Sequence, residues 1–242
     1  MITVICVYNN LEILEDKLLN SLKYQNTEYE LILVDNSSGR YTSAAEALNY
    51  GALKATKDLL MFVHQDVDLN YENCLRDIEA MVEDLDDLGV AGVAGYFETH
   101  GKHIMYSNIK DGNPPTDVGL NLDHPIEVQT VDECLFIVSR SLFNELEFDE
   151  TTCPDWHLYS TEYCLDVKKL GKSVYILPIK IYHASRTESF SNSYYTTLKN
   201  IVKKHGSEYR TINTSCGIWK TGSVGLTLNI MEDRVLRFMN LR

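Results

Sequence analysis

Asp66 and Asp68 close an apolar run, Leu59-Leu60-Met61-Phe62-Val63-His64-Gln65-Asp66-Val67-Asp68, and set two carboxylates two residues apart. Alternate side chains of an extended chain share a face, so both acids can point the same way. Like charges that close repel unless a cation lies between them, and oxygen donors suit a hard divalent ion such as Mg²⁺ or Mn²⁺. The chemistry on offer is to hold a metal against a diphosphate. Asp-x-Asp is a short pattern that solvated strand ends also produce, so its surroundings decide its meaning.

Those surroundings alternate between strand and helix. Residues 2–7 and 31–34 are almost continuously apolar, the pattern of strands buried on both faces of a parallel sheet. Between them Leu11, Leu14, Leu18, Leu19 and Leu22 recur at three- and four-residue steps and predict one helix. A second helix is expected from Ser43 to Thr56, with Ala44, Ala45, Leu48, Ala52 and Leu53 inward, and the 59–63 run is the third strand. Leu75, Ile78, Met81, Val82 and Leu85 mark another helix before the small-residue strand Val90 to Gly95. The alternation predicts an α/β fold with a doubly wound, mostly parallel sheet flanked by helices.

Residues 96–127 lose periodicity and collect Gly101, Gly112, Pro114, Pro115, Gly119 and Pro125, which predicts irregular chain or a hairpin over the sheet. Strand character returns from Val128 to Val138, then a short helix at 139–146 and one from Asp155 to Leu170 that stops at Gly171. Short strands at 173–177 and 179–183 straddle Pro178. The tail predicts helices at 192–205 and from Leu228 to Leu241, and its polar middle, 206–225, has no assignable pattern.

Composition narrows the class. The 242 residues are 44% apolar, enough for a sizeable core. With 35 acids against 22 bases and a net charge of −13, a broad nucleic-acid surface is excluded, because phosphate neutralisation needs clustered cations. The first residues read as a strand rather than a charged leader, and no apolar stretch nears the ~20 residues that span a bilayer. The expected location is cytoplasmic, free or at the inner face of the membrane. Six cysteines without Cys-x-x-Cys spacing predict buried thiols.

Ligands of open parallel sheets gather at the carboxyl ends of the strands, and those ends are polar here. They read Val7-Tyr8-Asn9-Asn10, Asp35-Asn36-Ser37-Ser38-Gly39 and His64-Gln65-Asp66-Val67-Asp68. A base could pack on Tyr8 while Asp35 accepts from a pyrimidine ring N–H; equally, Asn9 could be a helix cap and 35–39 an ordinary turn. In order and spacing these segments, with the helix Ala44-Ala45 to Asn49-Tyr50-Gly51, resemble the nucleotide-sugar half of the family 2 glycosyltransferases of GT-A fold. Val131-Asp132-Glu133, Phe148-Asp149-Glu150, Trp156-His157-Leu158-Tyr159, Tyr163-Cys164-Leu165 and Tyr182-His183-Ala184-Ser185 resemble the acceptor half.

The resemblance implies a GT-A domain over 1–186, divided into a nucleotide-sugar half (1–95) and an acceptor half (96–186), followed by a helical extension over 187–242. It implies that Val7, Tyr8, Asn9, Asp35, Asn49, Gln65 and Asp66 bind the nucleotide, and that Asp66, Asp68 and His183 hold Mn²⁺ or Mg²⁺. A nitrogen ligand beside carboxylates suits Mn²⁺ better than Mg²⁺. The implied partners are a nucleotide-sugar donor, a uridine one first, and a glycan or lipid-linked acceptor shaped by Trp156 and His157. Inverting transfer also needs a base for the acceptor hydroxyl. Where the family places an acid this chain has Ser160, so the candidates are Glu162, half a turn along the same helix, Asp155 and Asp132.

Other readings remain at this point. Ser160 suggests a sugar-nucleotide or glycan-binding module without turnover. An Asp-based phosphohydrolase would want Thr where Asn70 stands, and a nucleotidyltransferase would want a Gly-rich basic loop where Tyr8-Asn9-Asn10 stands. Near the C-terminus Arg234, Arg237 and Arg242 alternate with Leu236, Phe238, Met239 and Leu241, a helix that could rest on an anionic membrane, on the domain or on a second subunit.

Overall fold

The computed structural model describes residues 1–99, 102–185 and 192–239. Gly101, Leu241 and Arg242 lie outside the described residues. The first strand β1 (Ile2–Tyr8) leads through α1 (Leu11–Leu14), a π-helical turn (Glu15–Leu19) and α2 (Asn20–Leu22) to β2 (Tyr29–Asp35). Then α3 (Ala44–Ala52) crosses back to β3 (Leu59–Val63) on the other side of β1. Along β1 the side chains alternate: Val4 and Cys6 join the cluster with Leu14 and Leu18, while Ile5 joins Ala45 and Leu48 of α3. The two crossover helices thus cover opposite faces, which opens a crevice at the carboxyl end of β1. Leu11 and Leu53, expected inward, are exposed.

The start of α3 is fixed by its sequence. The Ser43 side chain caps the helix by accepting from the Glu46 amide, and the Glu46 carboxylate accepts from the Thr42 amide, one residue before the cap. Gly51 lets the helix approach β1, since a Cβ there would lie 2.8 Å from Ile5 Cγ2.

Downstream come β4 (Val67–Asp68), α4 (Cys74–Glu83), β5 (Leu88–Gly92), the hairpin β6 (Ala94–Thr99) and β7 (Lys102–Asp111), β8 (Thr116–Asp117) and β9 (Ile126–Glu127). They are followed by β10 (Leu135–Ser139), α5 (Arg140–Glu145), α6 (Tyr159–Lys169), β11 (Ser173–Ile176) and β12 (Lys180–His183). The main sheet runs β2-β1-β3-β10-β5-β11-β9, with β10 antiparallel to β3 and β5. A second sheet runs β4-β12-β7-β6 with β8 beside β7.

Two expected elements are shorter. The strand expected from Val128 begins only at Leu135, because residues 128–134 cross between strands and are tied down individually: the Asp132 amide donates to Ala94 O, and Asp132 Oδ1 accepts from the Cys134 amide. The helix expected from Asp155 begins at Tyr159, because Leu158 has φ +67° and cannot lie inside a right-handed helix.

The tail forms α7 (Asn192–His205), a hairpin of β13 (Thr211–Thr214) and β14 (Gly217–Lys220) in the stretch without a pattern, and α8 (Ser223–Phe238), which starts five residues before the expected Leu228. The hairpin is bonded to the 129–130 segment: Gln129 donates to Thr211 O and accepts from the Asn213 amide, and Thr130 donates to Asn213 O. Leu198, Ile212 and Trp219 share one apolar core with Phe62 and Phe136.

Candidate active site

A cleft of about 710 Å³ opens where β1, β2 and β3 end. Its walls include Val7, Tyr8, Asn9, Gln65 and Asp66 of the expected nucleotide residues, together with Ser37 and with Trp156 at the rim. Gln65 acts as a clasp: its Oε1 accepts from the amides of Asn9 and Asn10, and its Nε2 donates to Asn9 Oδ1 at 2.8 Å. Asp35 sits at the exposed edge, in register with Tyr8, and hydrogen bonds from Ser37 hold its carboxyl below the usual range.

Asn49 is not brought to the cleft. Its amide is buried and tied to the chain before α6, donating to Phe148 O and Glu150 and accepting from the Phe148 amide. The expectation of a nucleotide contact there is corrected: its polar groups are satisfied within the protein.

Asp68 is also displaced from its expected role. Val67–Asp68 pair with β12, but Asp66 lies in the preceding turn, so the alternation that would align the two carboxylates is broken. Asp68 Oδ1 instead accepts from the Asn70 amide at 2.8 Å. The groups that converge are His64, Asp66 and His183, whose ligand atoms lie within 4.8 Å of one another. The effective spacing is therefore His64-x-Asp66, two residues earlier than the pair seen in the sequence.

His183 ends β12 in parallel register with Asp111 at the end of β7. Its Nδ1 is 3.1 Å from Asp111 Oδ1 and its Nε2 3.3 Å from Asp66 Oδ1. Ser185 Oγ donates to the Asp111 carboxylate at 2.8 Å. Burial alone would lower the His183 pKa, but the two carboxylates outweigh it and raise it to about 10. His64 is turned by Tyr159, whose hydroxyl is 3.0 Å from Nε2, and burial lowers its pKa.

This donor set fits a divalent ion. Asp66 Oδ1 is buried with no well-aligned hydrogen-bond donor, the nearest being His183 Nε2 at 3.3 Å. Asp111 anchors one His183 nitrogen and leaves the other directed at Asp66, the usual outer partner of a ligating imidazole. Two imidazoles with one carboxylate suit Mn²⁺ better than Mg²⁺. Asp111 carried no signal in the sequence, since strand pairing delivers it; His64 could have been found from its spacing to Asp66.

Of the candidate bases, Glu162 is engaged elsewhere in the fold. Its side chain is 1% exposed and held by Lys204 Nζ at 2.6 Å, with His205 Nε2 3.4 Å away, and it does not line the cleft. Lys204 also binds Asp149 and Asp166, so Glu162 belongs to an ionic cluster that docks α7 onto α6. Ser160 is buried and donates to Val131 O. Asp132 accepts from the Cys134 amide; burial would raise its carboxyl, but Ser215, in the tail hairpin turn, and the charge of His183 hold it low. Asp155 precedes the cleft residue Trp156, its carbonyl accepts from the Ala44 amide, and its Oδ2 is buried without a hydrogen bond. His157 packs edge-on against Tyr194, 5.8 Å between ring centroids, so it supports the wall from behind.

A family model described as a glycosyltransferase-like family matches residues 3–205. The chain belongs to that family. No curated protein matches it. Among solved structures, S. aureus TarS 1–349 in complex with UDP-GlcNAc has a TM-score of 0.59 at 16% identity, over 84% of this chain and 66% of that one. GalNAc-T7 with UDP, GalNAc and Mn²⁺ has a TM-score of 0.59 at 14% identity, over 85% and 47%. The mannosyltransferase PcManGT from Pyrobaculum calidifontis, with GDP-Man and Mn²⁺, has a TM-score of 0.56 at 13% identity, over 86% and 64%. The chain spans 39% of the S. aureus TarS chain and 66% of its 1–349 form. At these identities the likeness is one of fold, and it meets the expected GT-A-type architecture. No helix among the described residues is long and apolar enough to cross a membrane.

Proposed function

We propose that the protein is a metal-dependent inverting glycosyltransferase that moves a sugar from a nucleotide-sugar, a uridine one first, to a glycan or lipid-linked acceptor in glycoconjugate synthesis. The observation that carries this reading is the convergence of His183 with His64 and Asp66, which line the cleft together with Tyr8 and Trp156. Similar folds bound to UDP, UDP-GlcNAc and GDP-Man, two of them with Mn²⁺, support it.

In this reading Tyr8 and Asp35 address the base, and Gln65 keeps the Asn9–Asn10 turn in place beneath the nucleotide. His64, Asp66 and His183 would hold Mn²⁺, which would neutralise charge on the departing diphosphate. Trp156 offers a ring for the apolar face of a sugar. An acceptor hydroxyl oxygen attacks the anomeric carbon as the bond from that carbon to the diphosphate oxygen breaks; the bonding pair leaves with the nucleoside diphosphate. The hydroxyl proton passes to Asp155, the acid beside the cleft whose Oδ2 has no partner. The cytoplasmic side is where such a reaction would meet its nucleotide-sugar.

The test is turnover on a panel of nucleotide-sugars and acceptor glycans with Mn²⁺. Asp155→Asn is expected to lower kcat by roughly 100- to 10,000-fold while nucleotide affinity stays unchanged. Binding without turnover in both proteins would instead favour the non-catalytic module that Ser160 at the expected base position suggests.

A further inference from the structure

The outer face of α8 has no partner among the described residues. Among the described residues fifteen large apolar side chains are exposed, and six of them, Val224, Leu228, Met231, Val235, Phe238 and Met239, lie on or directly after this one helix. Phe238 is 89% and Val224 73% exposed. The opposite face is already docked: Leu226 and Ile230 join the main core and Asp233 is buried.

The spacing says what kind of surface would cover the seam. Val224, Leu228, Met231, Val235 and Phe238 follow steps of four, three, four and three, the alternation that keeps one stripe of a helix against another helix. An anionic lipid surface would instead call for cations beside the apolar face. The two described arginines that could supply them are turned to the protein itself. Arg237 Nε binds Asp233 at 2.9 Å, while the Arg234 guanidinium lies 4.7 Å from the Tyr195 ring centroid and donates to Asn192. The net charge of −13 opposes such a membrane further.

We propose that α8 is a homodimer interface, paired with α8 of a second copy. An antiparallel two-fold arrangement with its axis midway between Leu228 and Met231 sets Val224 opposite Val235 and Leu228 opposite Met231 in both directions, as an isologous contact requires. The flanking positions then match: Glu232 faces Thr227 and Arg234 faces Gly225, so no like charges meet. Phe238 reaches the start of the other helix. Six side chains per copy bury on the order of 1,200 Å² in total, the lower edge of specific interfaces, so a concentration-dependent dimer is expected.

Sedimentation velocity of the full chain between about 1 and 100 μM tests this. The expected result is a mass rising from 27.6 kDa toward twice that value, insensitive to 0.5 M NaCl. Leu228→Glu with Met231→Glu, both at exposed positions, should leave the circular dichroism spectrum and Tm unchanged and keep the protein monomeric. Wild type that stays monomeric throughout, or a variant that dimerises equally well, would overturn the proposal. So would flotation of monomeric wild type, but not the variant, with vesicles of phosphatidylcholine and phosphatidylglycerol; that would assign the seam to lipid.

Discussion

Lys204→Met should separate the two roles that Glu162 could have. The lysine Nζ lies 2.6 Å from Glu162, 2.6 Å from Asp166 and 2.8 Å from Asp149, and the Glu162 side chain is only 1% exposed. Removing the ammonium leaves that carboxylate facing two others without a full counter-charge. Breaking a buried pair from one side costs about 3–5 kcal/mol. Asp149 at 28% and Asp166 at 14% exposure keep some water, which puts the loss at the lower end, about 3 kcal/mol. In a domain of this size each kcal/mol moves Tm by roughly 2–4 °C, so the expected drop is about 6–12 °C. The assay is thermal unfolding at pH 7, with Glu162→Gln alongside. Glu162→Gln should also lower Tm yet leave nucleotide affinity and turnover intact. A Lys204→Met Tm within 2 °C of wild type, or a Glu162→Gln protein that is stable but inactive, would refute the docking role and return Glu162 to the reaction.

Three further outcomes follow from the geometry. Asp111→Asn should weaken Mn²⁺ binding by about 10- to 100-fold, since the carboxylate orients His183; unchanged affinity by calorimetry would contradict the role. Gly92→Ala puts a Cβ 2.5 Å from that of Val131 and should cost about 1–3 kcal/mol in urea unfolding; a neutral result would mean the crossing chain at 128–134 yields freely. Burial opposes the charge on Asp149, but bonds from Lys204 and Thr152 prevail and depress its pKa from 3.8 to about 2. A depressed acid stabilises the fold above its unfolded pKa, so the stability advantage of wild type over Asp149→Asn should be full at pH 7 and fade between about pH 4 and 2. A gap that stays constant across that window would contradict the assignment.

The parallel part of the fold was legible because strands covered on both faces are written as unbroken apolar runs, as at 2–7 and 59–63, and because Ala44, Ala45, Leu48 and Ala52 mark the inward stripe of the helix between them. The antiparallel insertion of β10 was not, since an apolar run carries no direction. The β13–β14 hairpin escaped because its strands are four residues each and mostly polar, their burial depending on contacts 80 residues away. Asp66 and His183 could be read as strand-end residues. Asp68 misled because alternation holds only in extended chain, and a turn intervenes at Gln65–Asp66. Glu162 misled because the partner that claims it, Lys204, comes 42 residues later on another helix. Asp111 was invisible for the same reason: only the pairing of β7 with β12 brings it to His183.

The central claim is that His64, Asp66 and His183 form a metal site that holds a nucleoside diphosphate in the cleft. Calorimetry with UDP, GDP, CDP and dTDP, with and without Mn²⁺, on wild type, Asp66→Ala and Asp68→Ala tests it most directly. The expected result is Mn²⁺-dependent binding of at least one nucleotide that is lost in Asp66→Ala and kept in Asp68→Ala. Nucleotide binding that survives Asp66→Ala and fails in Asp68→Ala, or no binding by wild type with any metal, would contradict it.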